Sequence, residues 1–360
     1  MLRFCAIIAV LLAACLSSAG PLWAQHLFSS DEVLRLRVVT SVRKLMADTK
    51  EESEYYTATI DAPRIQGGGA ITLPVRIRTR GHFRREYPGC QFPPLMLNFS
   101  KSKELGETIF QKQNKIKVVL PCLDKDLVVR EYLCYKLYNL VTPVSVRARL
   151  AEITFCEAAD TTKKQQALCI LLEDEDLLAE RIGLTKAKPK PELVNDFTLR
   201  SDVYLPMTVF QLMIGNTDWS APYRHNIALF TPPDDTLRFA PVPYDFDFSG
   251  LVNAPYANAH EELEMESVRE RRYRGYCLPE LDSLSPVISK FLNIRSQAID
   301  LAKNNHLLSN AGRRYGVSYI EEFYAILDSE KRRREIFIYP CDPTRPGNVI
   351  IKGYPKAVKQ

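Results

Sequence analysis

Apolar and polar positions alternate along much of the first half of the chain. In residues 71–80, Ile71, Leu73, Val75 and Ile77 share one face, and this period of two is typical of a half-buried β-strand. A Gly-Gly-Gly turn joins this strand to the preceding one. The pattern predicts further strands at residues 55–61, 94–99, 114–120, 147–155 and 166–172, and helices at 30–47 and 127–140.

The second half of the chain follows a helical period instead. Residues 202–214 form an apolar run that Gly215 ends, and residues 281–330 repeat apolar positions near helical spacing. Between these two segments, residues 226–230 and 237–242 flank a Pro-Pro-Asp-Asp turn. Two short apolar runs around such a turn predict a β-hairpin.

Together these elements predict an α+β protein in two lobes. The strand-rich N-lobe is expected at residues 30–180 and the mainly helical C-lobe at 193–335, with residues 336–360 as a C-terminal tail. The charged stretch 186–191 separates the lobes, because its prolines break regular structure. A chain of 360 residues with 46% hydrophobic content is long enough to bury a core in each lobe.

The first 24 residues have the pattern of an export signal. Arg3 precedes an apolar run at residues 5–15, which has the length of a secretory h-region and is too short to span a bilayer. Cleavage after Ala24 would leave a periplasmic or secreted protein. Alternatively, Leu12-Ala13-Ala14-Cys15 resembles a bacterial lipobox, and a lipid on Cys15 would then be the link to a membrane. An ordinary apolar N-terminal helix is the remaining interpretation.

Charge and cysteine usage narrow the classes of partner. The formal net charge is +5 and the charged residues are well mixed, which argues against nucleic-acid binding through bulk charge. The nine cysteines include no C-x-x-C pair, which argues against a zinc site. In an oxidising compartment the cysteines in loop-like contexts could pair, in a pattern that the sequence leaves open: Cys90, Cys122, Cys277 and Cys341.

Candidate oxygen ligands gather in residues 215–250. Asp218 follows a predicted helix, Asn226 opens the predicted hairpin, and Asp245 and Asp247 follow it. Because a hairpin brings its two ends together, we expect Asn226 and Asp245 to lie close together and to face Asp218. Phosphoryl transfer uses one carboxylate to orient the attacking hydroxyl, and an amide with a second carboxylate to hold Mg²⁺. We therefore interpret Asp218 as catalytic and the other three residues as metal ligands, although each aspartate taken singly fits a cap or turn.

Two lysines and a basic turn supply candidate phosphate contacts. Lys115 and Lys117 lie on one face of a predicted strand, just before the helix that carries Glu131. A kinase places a lysine on the nucleotide phosphates and orients it with a helix carboxylate. We choose Lys117 for that contact and Glu131 as its partner, with Lys115 as the alternative. The arginine-rich turn around Arg80 and Gly81 either closes over an anion or is an exposed basic hairpin.

In their order, these motifs resemble the spore-coat CotH family of atypical kinases and, more distantly, HipA-type and phosphatidylinositol kinases. The matching pieces are an R-x-R-G turn at residues 78–81, the strand with Lys117, the junction at Glu173, and the run Gly215-Asn216-Thr217-Asp218, His225-Asn226 and Tyr244-Asp245-Phe246-Asp247. The resemblance implies a protein-kinase-like fold that uses ATP and Mg²⁺ or Mn²⁺ to phosphorylate Ser or Thr of a protein. It also implies a nucleotide contact for Glu173.

Two departures from the family pattern keep an alternative open. Seven residues separate Asp218 from Asn226 where the family has four, and Pro93-Pro94 stands where the family has a lysine. The first hypothesis is therefore an exported CotH-like kinase or nucleotidyl transferase, and the second is a non-catalytic, pseudokinase-like envelope protein. A third, a carboxylate-pair glycan hydrolase, predicts two carboxyl groups roughly 5–9.5 Å apart along an open groove. No metal role is expected for His260.

Overall fold

A computed structural model describes residues 27–338, apart from 49, 51–52, 82, 88 and 279, together with the backbone of 341–342 and 345–346. The predicted leader, with Cys15, lies outside the described residues, as does most of the predicted tail. Among the helices of the described part, none combines the length and the apolar character that crossing a membrane requires.

Seven strands form one closed, mixed sheet in the order β1-β2-β3-β4-β5-β7-β6. Neighbouring strands pair antiparallel, except that β1 and β6 are parallel and close the barrel. Alternation gives the sheet two faces, since Ile116 and Val118 of β5 are buried inside while Lys115 and Lys117 lie on the outer face. The strands are β1 (Leu34–Thr40), β2 (Tyr56–Pro63), β3 (Ala70–Thr79), β4 (Leu95–Phe99), β5 (Lys115–Val119), β6 (Ala148–Glu157) and β7 (Asp160–Leu172).

The helix predicted at residues 30–47 was wrong. The segment is strand β1 followed by the short helix α1 (Val42–Met46). Leu34, Leu36 and Val38 are buried and the residues between them are exposed, which is a period of two that the helical interpretation overlooked. The long-range parallel pairing with β6 stabilises this strand, and no local signal in the sequence indicates that partner.

The remaining elements are mainly helical, so the fold is α+β as predicted. The helices are α2 (Phe83–Glu86), α3 (Lys103–Gly106), α4 (Lys125–Val141), α5 (Glu175–Ile182), α6 (Ser201–Ile214), α7 (Ser285–Asn293), α8 (Arg295–Lys303), α9 (Asn310–Leu327) and α10 (Glu330–Phe337). A second sheet has the order β10-β9-β8, and a two-stranded ladder follows α10. These strands are β8 (Thr185–Ala187), β9 (Ile227–Thr231), β10 (Ala240–Pro243), β11 (Cys341–Asp342) and β12 (Arg345–Pro346). The predicted hairpin is confirmed as β9–β10, whereas the predicted connector contributes part of β8.

Two hydrophobic clusters hold these elements together. One fills the barrel and includes Val38, Ile77 and Phe155, and the other is built on α4 and α6 and extends to Phe337. Helix α4 packs with the second cluster although it lies between two barrel strands in sequence. It also contacts β6 and β7 of the barrel. Helix α4 therefore links the barrel to the helical part, and the candidate site lies beside it.

Candidate functional site

The loop that carries Asp218 begins where α6 ends. Gly215 caps α6 with φ 64° and ψ 37°, a left-handed conformation in which glycine has no Cβ penalty. A Cβ at this position would also clash with the Tyr319 hydroxyl. The Asn216 side chain then fixes the turn, because its Oδ1 accepts from the Asp218 amide at 3.0 Å and its Nδ2 donates to Gln211 at 3.0 Å. Gly215 and Asn216 therefore set the direction of Asp218.

Both oxygens of the Asp218 carboxylate are engaged by protein. Its Oδ1 lies 2.6 Å from His225 Nε2 and 3.4 Å from His260 Nε2, and its Oδ2 accepts from Asn226 Nδ2 at 3.0 Å. Burial acts to raise the pKa of Asp218, but the hydrogen bonds and charges of His225 and His260 outweigh it, so this pKa is lowered. Asp218 is therefore an anion in a fixed orientation.

Two residues from later in the chain support this loop, and the sequence interpretation missed the contacts of both. His260 lies 42 positions beyond Asp218, with no motif around it. Arg274 is 5% exposed, and its Nη1 donates to the carbonyl oxygens of Thr217 and Trp219, the latter at 2.7 Å. These contacts depend on tertiary packing, so spacing along the chain gave no signal for them.

The β9–β10 hairpin brings Asn226 next to Asp245. The amide of Tyr244 donates to the Asn226 carbonyl at 3.0 Å, immediately before Asp245. Asn226 (φ 52°) and Asp245 (φ 63°) are both left-handed, which asparagine and aspartate tolerate better than most residues. The Asp245 amide also donates to the Tyr135 hydroxyl of α4 at 3.1 Å. Strained backbone at two neighbouring positions is typical of functional sites.

Asn226 and Asp245 have oxygen atoms suited to a cation. The Asn226 amide nitrogen faces Asp218, which leaves its Oδ1 as an acceptor. The Asp245 carboxylate accepts no hydrogen bond from the residues that the structure describes. Among all the residues that the structure describes, no group of three or more His, Cys, Asp or Glu side chains is placed to hold a metal ion. Mg²⁺ commonly takes only one or two protein carboxylates and completes its coordination with phosphate oxygens and water, so these residues fit a magnesium ion bound together with a nucleotide.

Asp247, which the sequence assigned to the metal, is engaged by protein instead. Its side chain is 9% exposed. Its Oδ2 accepts from Arg84 Nε at 3.0 Å and from the Tyr256 hydroxyl at 3.1 Å. Through this oxygen Asp247 holds the segment that carries Asp245 against Arg84, and its metal role stays a prediction.

The predicted ion pair between Lys117 and Glu131 does not form. Glu131 is 1% exposed, and its Oε2 lies 2.8 Å from Arg84 Nη2. Lys117 donates to Glu175 Oε1 at 2.9 Å, and its Nζ lies 4.8 Å from the centre of the Tyr244 ring. Lys117 therefore lies next to the end of the β9–β10 hairpin, and its partner is Glu175 instead of Glu131. Arg84 is the residue that the sequence interpretation missed, since nothing distinguished it from the neighbouring arginines of the basic turn.

The other predicted phosphate contacts are Arg80, Gly81 and Lys115. Burial raises the pKa of Tyr244 to about 12, and the charge of Arg80 acts against this rise. Gly81 has φ 75° and is exposed. Lys115 is exposed as well, two residues from Lys117 on the outer face of β5.

The Glu173 carboxylate, which is predicted to contact the nucleotide, is engaged by neighbouring parts of the chain. Its carboxylate accepts from Arg181 Nε at 2.8 Å and Arg181 Nη2 at 2.7 Å. The amide of Arg147 donates to the same carboxylate at 3.0 Å. Glu173 therefore fixes the junction between β7 and α5.

One buried guanidinium lies between two buried carboxyl groups at this site. Arg84 is paired with two carboxylates, Glu131 and Asp247, and the charge of Asp245 acts on both. Burial raises the pKa of Asp247 to about 8 against the opposing effect of Arg84, and the charges of Asp245 and Glu131 add to the rise. Burial also raises the pKa of Glu131. The raised pKa means that Asp247 keeps a proton at neutral pH, which limits the buried negative charge around Arg84.

A solved structure described as a Helicobacter pylori proinflammatory kinase, CtkA, matches with a TM-score of 0.33 and 13% sequence identity, over 68% of this chain and 91% of that chain. No protein-family model matches the chain, and no curated protein matches it. The resemblance to the CotH family therefore stays a prediction from the sequence motifs.

Proposed function

We propose that this chain is a CotH-like, metal-dependent phosphotransferase that transfers a phosphoryl group from ATP to a Ser or Thr hydroxyl of a protein. The observation that carries the proposal is the meeting of Asp218, from the loop after α6, with Asn226 and Asp245, from the two ends of one hairpin. A carboxylate beside an amide and a second carboxylate is the donor set that phosphoryl transfer needs. The barrel and the helical part would correspond to the two lobes of a kinase-like fold, with the nucleotide between them.

In this proposal the nucleotide phosphates lie against Lys117 and Arg80. Lys117 lies close to the Tyr244 ring, directly before Asp245. Glu175 takes the orienting role that the sequence gave to Glu131, because it is the carboxylate that Lys117 contacts. A lysine held by a carboxylate keeps its ammonium in one position, which favours contact with a phosphate oxygen.

Asp218 would act as the proton acceptor. It takes the proton of the acceptor hydroxyl as the new O–P bond forms and the terminal phosphoanhydride bond of ATP breaks, which releases ADP. Its lowered pKa keeps the carboxylate ionised at neutral pH, and His225 and His260 hold it in place. A Mg²⁺ or Mn²⁺ ion at Asn226 and Asp245 would supply positive charge next to the phosphate oxygens.

The direct test is the mass of the intact purified protein after incubation with an acceptor mixture and Mg-ATP or Mn-ATP. Wild-type protein should gain phosphoryl mass or add it to the acceptor. Asp218→Asn should lower the rate about 10²–10⁴-fold, as expected for loss of a general base. Asp234→Asn, the same change on an exposed turn, is the matched control. Equal rates in a folded Asp218→Asn protein and the wild type would refute the role of Asp218.

Nucleotide binding can be measured separately from transfer. At a concentration about 100 times Kd, Mg-ATP should stabilise the fold by about 2.7 kcal/mol in a thermal or chemical denaturation assay. Lys117→Met should reduce this stabilisation, whereas Lys115→Met, the same change two residues away, should retain most of it. If both variants behave alike, Lys117 does not contact the phosphates.

A non-catalytic nucleotide-binding protein of the bacterial envelope is the second candidate. Two observations favour it: Lys117 is paired with Glu175 instead of an α4 carboxylate, and both oxygens of Asp218 already have protein partners. It predicts stabilisation by Mg-ATP with no gain of mass on any acceptor.

We further propose that the mature protein is periplasmic or secreted. Cys90 and Cys122 form a disulfide and Cys277 is disulfide-bonded as well. Disulfides persist mainly in oxidising compartments, which supports export. The mass of the mature N-terminus would distinguish cleavage after Ala24 from a lipid on Cys15.

A further inference from the structure

Five cations lie together on the outer face of three adjacent barrel strands. Lys115 and Lys117 lie on this face of β5, and Arg76 and Arg78 lie on the same face of β3. Arg80 follows β3 at the next position of that alternation, and its amide donates to the Pro94 carbonyl at 2.8 Å. We refer to these five side chains as the basic face.

Strand register fixes the geometry of the basic face. Met96 of β4 pairs with Arg78 on one side and Lys117 on the other, and Asn98 pairs in the same way with Arg76 and Lys115. Neighbouring strands are about 4.8 Å apart and alternate residues about 7 Å apart. The cations therefore form rows roughly 10 Å wide and 7 Å apart, and the row with Lys117 is the one nearer the candidate site.

The basic face has little opposing charge. In the described chain, Arg76, Arg78, Arg80 and Lys115 form no ion pair, while Lys117 pairs with Glu175. The guanidinium groups of Arg76 and Arg78 lie 5.0 and 4.8 Å from the centre of one ring, that of Tyr55. The Nε of Arg78 is buried and has no hydrogen-bond partner. Like charges held at this spacing repel one another unless an anion lies between them.

We propose that the basic face binds an acidic segment of the protein acceptor, so that the substrates are polypeptides with Asp or Glu near the phosphorylated hydroxyl. This inference rests on the proposed function, because the face continues outward from the Lys117 end of the site. An extended peptide of three or four residues is about 10–14 Å long, which matches the size of the face. Carboxylates can pair with Arg76, Arg78 and Lys115 without displacing an existing ion pair, while Lys117 and Arg80 stay with the nucleotide phosphates.

A short acidic peptide fits better than a nucleic acid, because the basic face is bounded. Asp61 lies on the outer face of β2, where it is paired with Arg37 and accepts from Thr72 of β3. Glu175 limits the other side, next to Lys117. A phosphate backbone binds through many cations in a continuous track, and this face ends after two or three rows.

Binding without nucleotide tests the proposal independently of catalysis. Fluorescence anisotropy at low salt compares the binding of two fluorescein-labelled peptides. One has a serine between glutamates, and in the other each glutamate is replaced by glutamine. The acidic peptide should bind the wild type about tenfold more tightly, and the difference should shrink at high salt because exposed charges are screened. Arg76→Glu combined with Lys115→Glu should abolish the preference, and Lys115→Glu alone should reduce it several-fold without disturbing the hydrogen bonds between Arg76 and Asn98.

The matched control is Lys163→Glu combined with Lys164→Glu, which makes the same change in net charge at exposed positions of β7. This control should keep the preference. Equal binding of the two peptides, retention of the preference in the Arg76/Lys115 variant, or its loss in the control would overturn the proposal. Tighter binding of a poly-dT oligonucleotide of equal charge would assign the face to nucleic acid instead. If the preference holds but no phosphoryl transfer is found, the basic face stands and the proposed function fails.

Discussion

Replacing Arg84 tests the buried ion cluster that joins α4 to the Asp245–Asp247 segment. The side chain is 8% exposed, and its guanidinium lies 2.8 Å from Glu131 and 2.9 Å from Asp247, whose side chains are 1% and 9% exposed. Arg84→Met keeps much of the volume but leaves both carboxylates without their cation. Removing one member of a buried ion pair costs about 3–5 kcal/mol. We therefore expect Arg84→Met to lower the free energy of unfolding by at least about 3 kcal/mol.

The pH dependence of this loss follows from the raised pKa of Asp247. The folded wild type keeps a proton on Asp247 up to about pH 8, whereas the unfolded chain releases that proton near the ordinary carboxyl pKa of 3.8. The free energy of unfolding of the wild type therefore falls as the pH rises from the lower to the higher pKa, and then levels off. Without Arg84 the folded-state pKa rises further. The variant therefore continues to lose stability above pH 8, by up to about 1.4 kcal/mol per pH unit for each proton retained. The difference between the two proteins should be larger at pH 9 than at pH 6.

Urea denaturation at both pH values measures these differences. Arg35→Met is the matched control, because Arg35 is 90% exposed and lies 3.8 Å from Glu152; its loss should cost less than about 1 kcal/mol. The loss of stability in Arg84→Lys should lie between those of Arg35→Met and Arg84→Met, since one ammonium group cannot contact two carboxyl groups as a guanidinium does. A loss below about 1 kcal/mol in Arg84→Met, or a loss that does not change with pH, would show that the cluster is not a tightly coupled buried network.

Two further predictions concern the Asp218 loop. Gly215→Ala should destabilise the protein more than Gly183→Ala, because both glycines cap helices in the left-handed region but only a Cβ at Gly215 clashes with Tyr319. Denaturation should show a loss of about 1 kcal/mol for Gly183→Ala and clearly more for Gly215→Ala. Equal losses would contradict the clash. Burial acts to lower the pKa of His225, but the contact with Asp218 outweighs burial and raises this pKa. NMR should therefore find that His225 titrates above its ordinary pKa in the wild type and at a lower pH in Asp218→Asn. The stability that the pair contributes should be lost as the pH rises through the raised pKa. An unchanged titration would contradict the contact.

Local patterns were enough to predict the parts of the site that one hairpin assembles. The turn and the flanking apolar runs define β9 and β10, and hairpin geometry then brings the start of one strand to the end of the other. Asn226 and Asp245 meet for that reason. The same reasoning failed for residues 30–47, because β1 is stabilised by a parallel partner more than 100 residues away, where its Leu34 pairs with Ala151.

Tertiary packing decides which residue each buried charge pairs with, and the spacing of residues along the chain does not indicate it. The sequence placed a cation on the barrel side and a carboxylate on α4, and both occur, but the cation that meets Glu131 is Arg84, 47 positions away, while Lys117 meets Glu175. A guanidinium can bond two carboxylates at once, and the buried space between α4 and Asp247 requires such a group. Lys117, half-buried on the outer face of β5, has Glu175 as its partner. The interior arginine therefore fixes the frame of the site, and the lysine at its edge is the cation that the proposed nucleotide would contact.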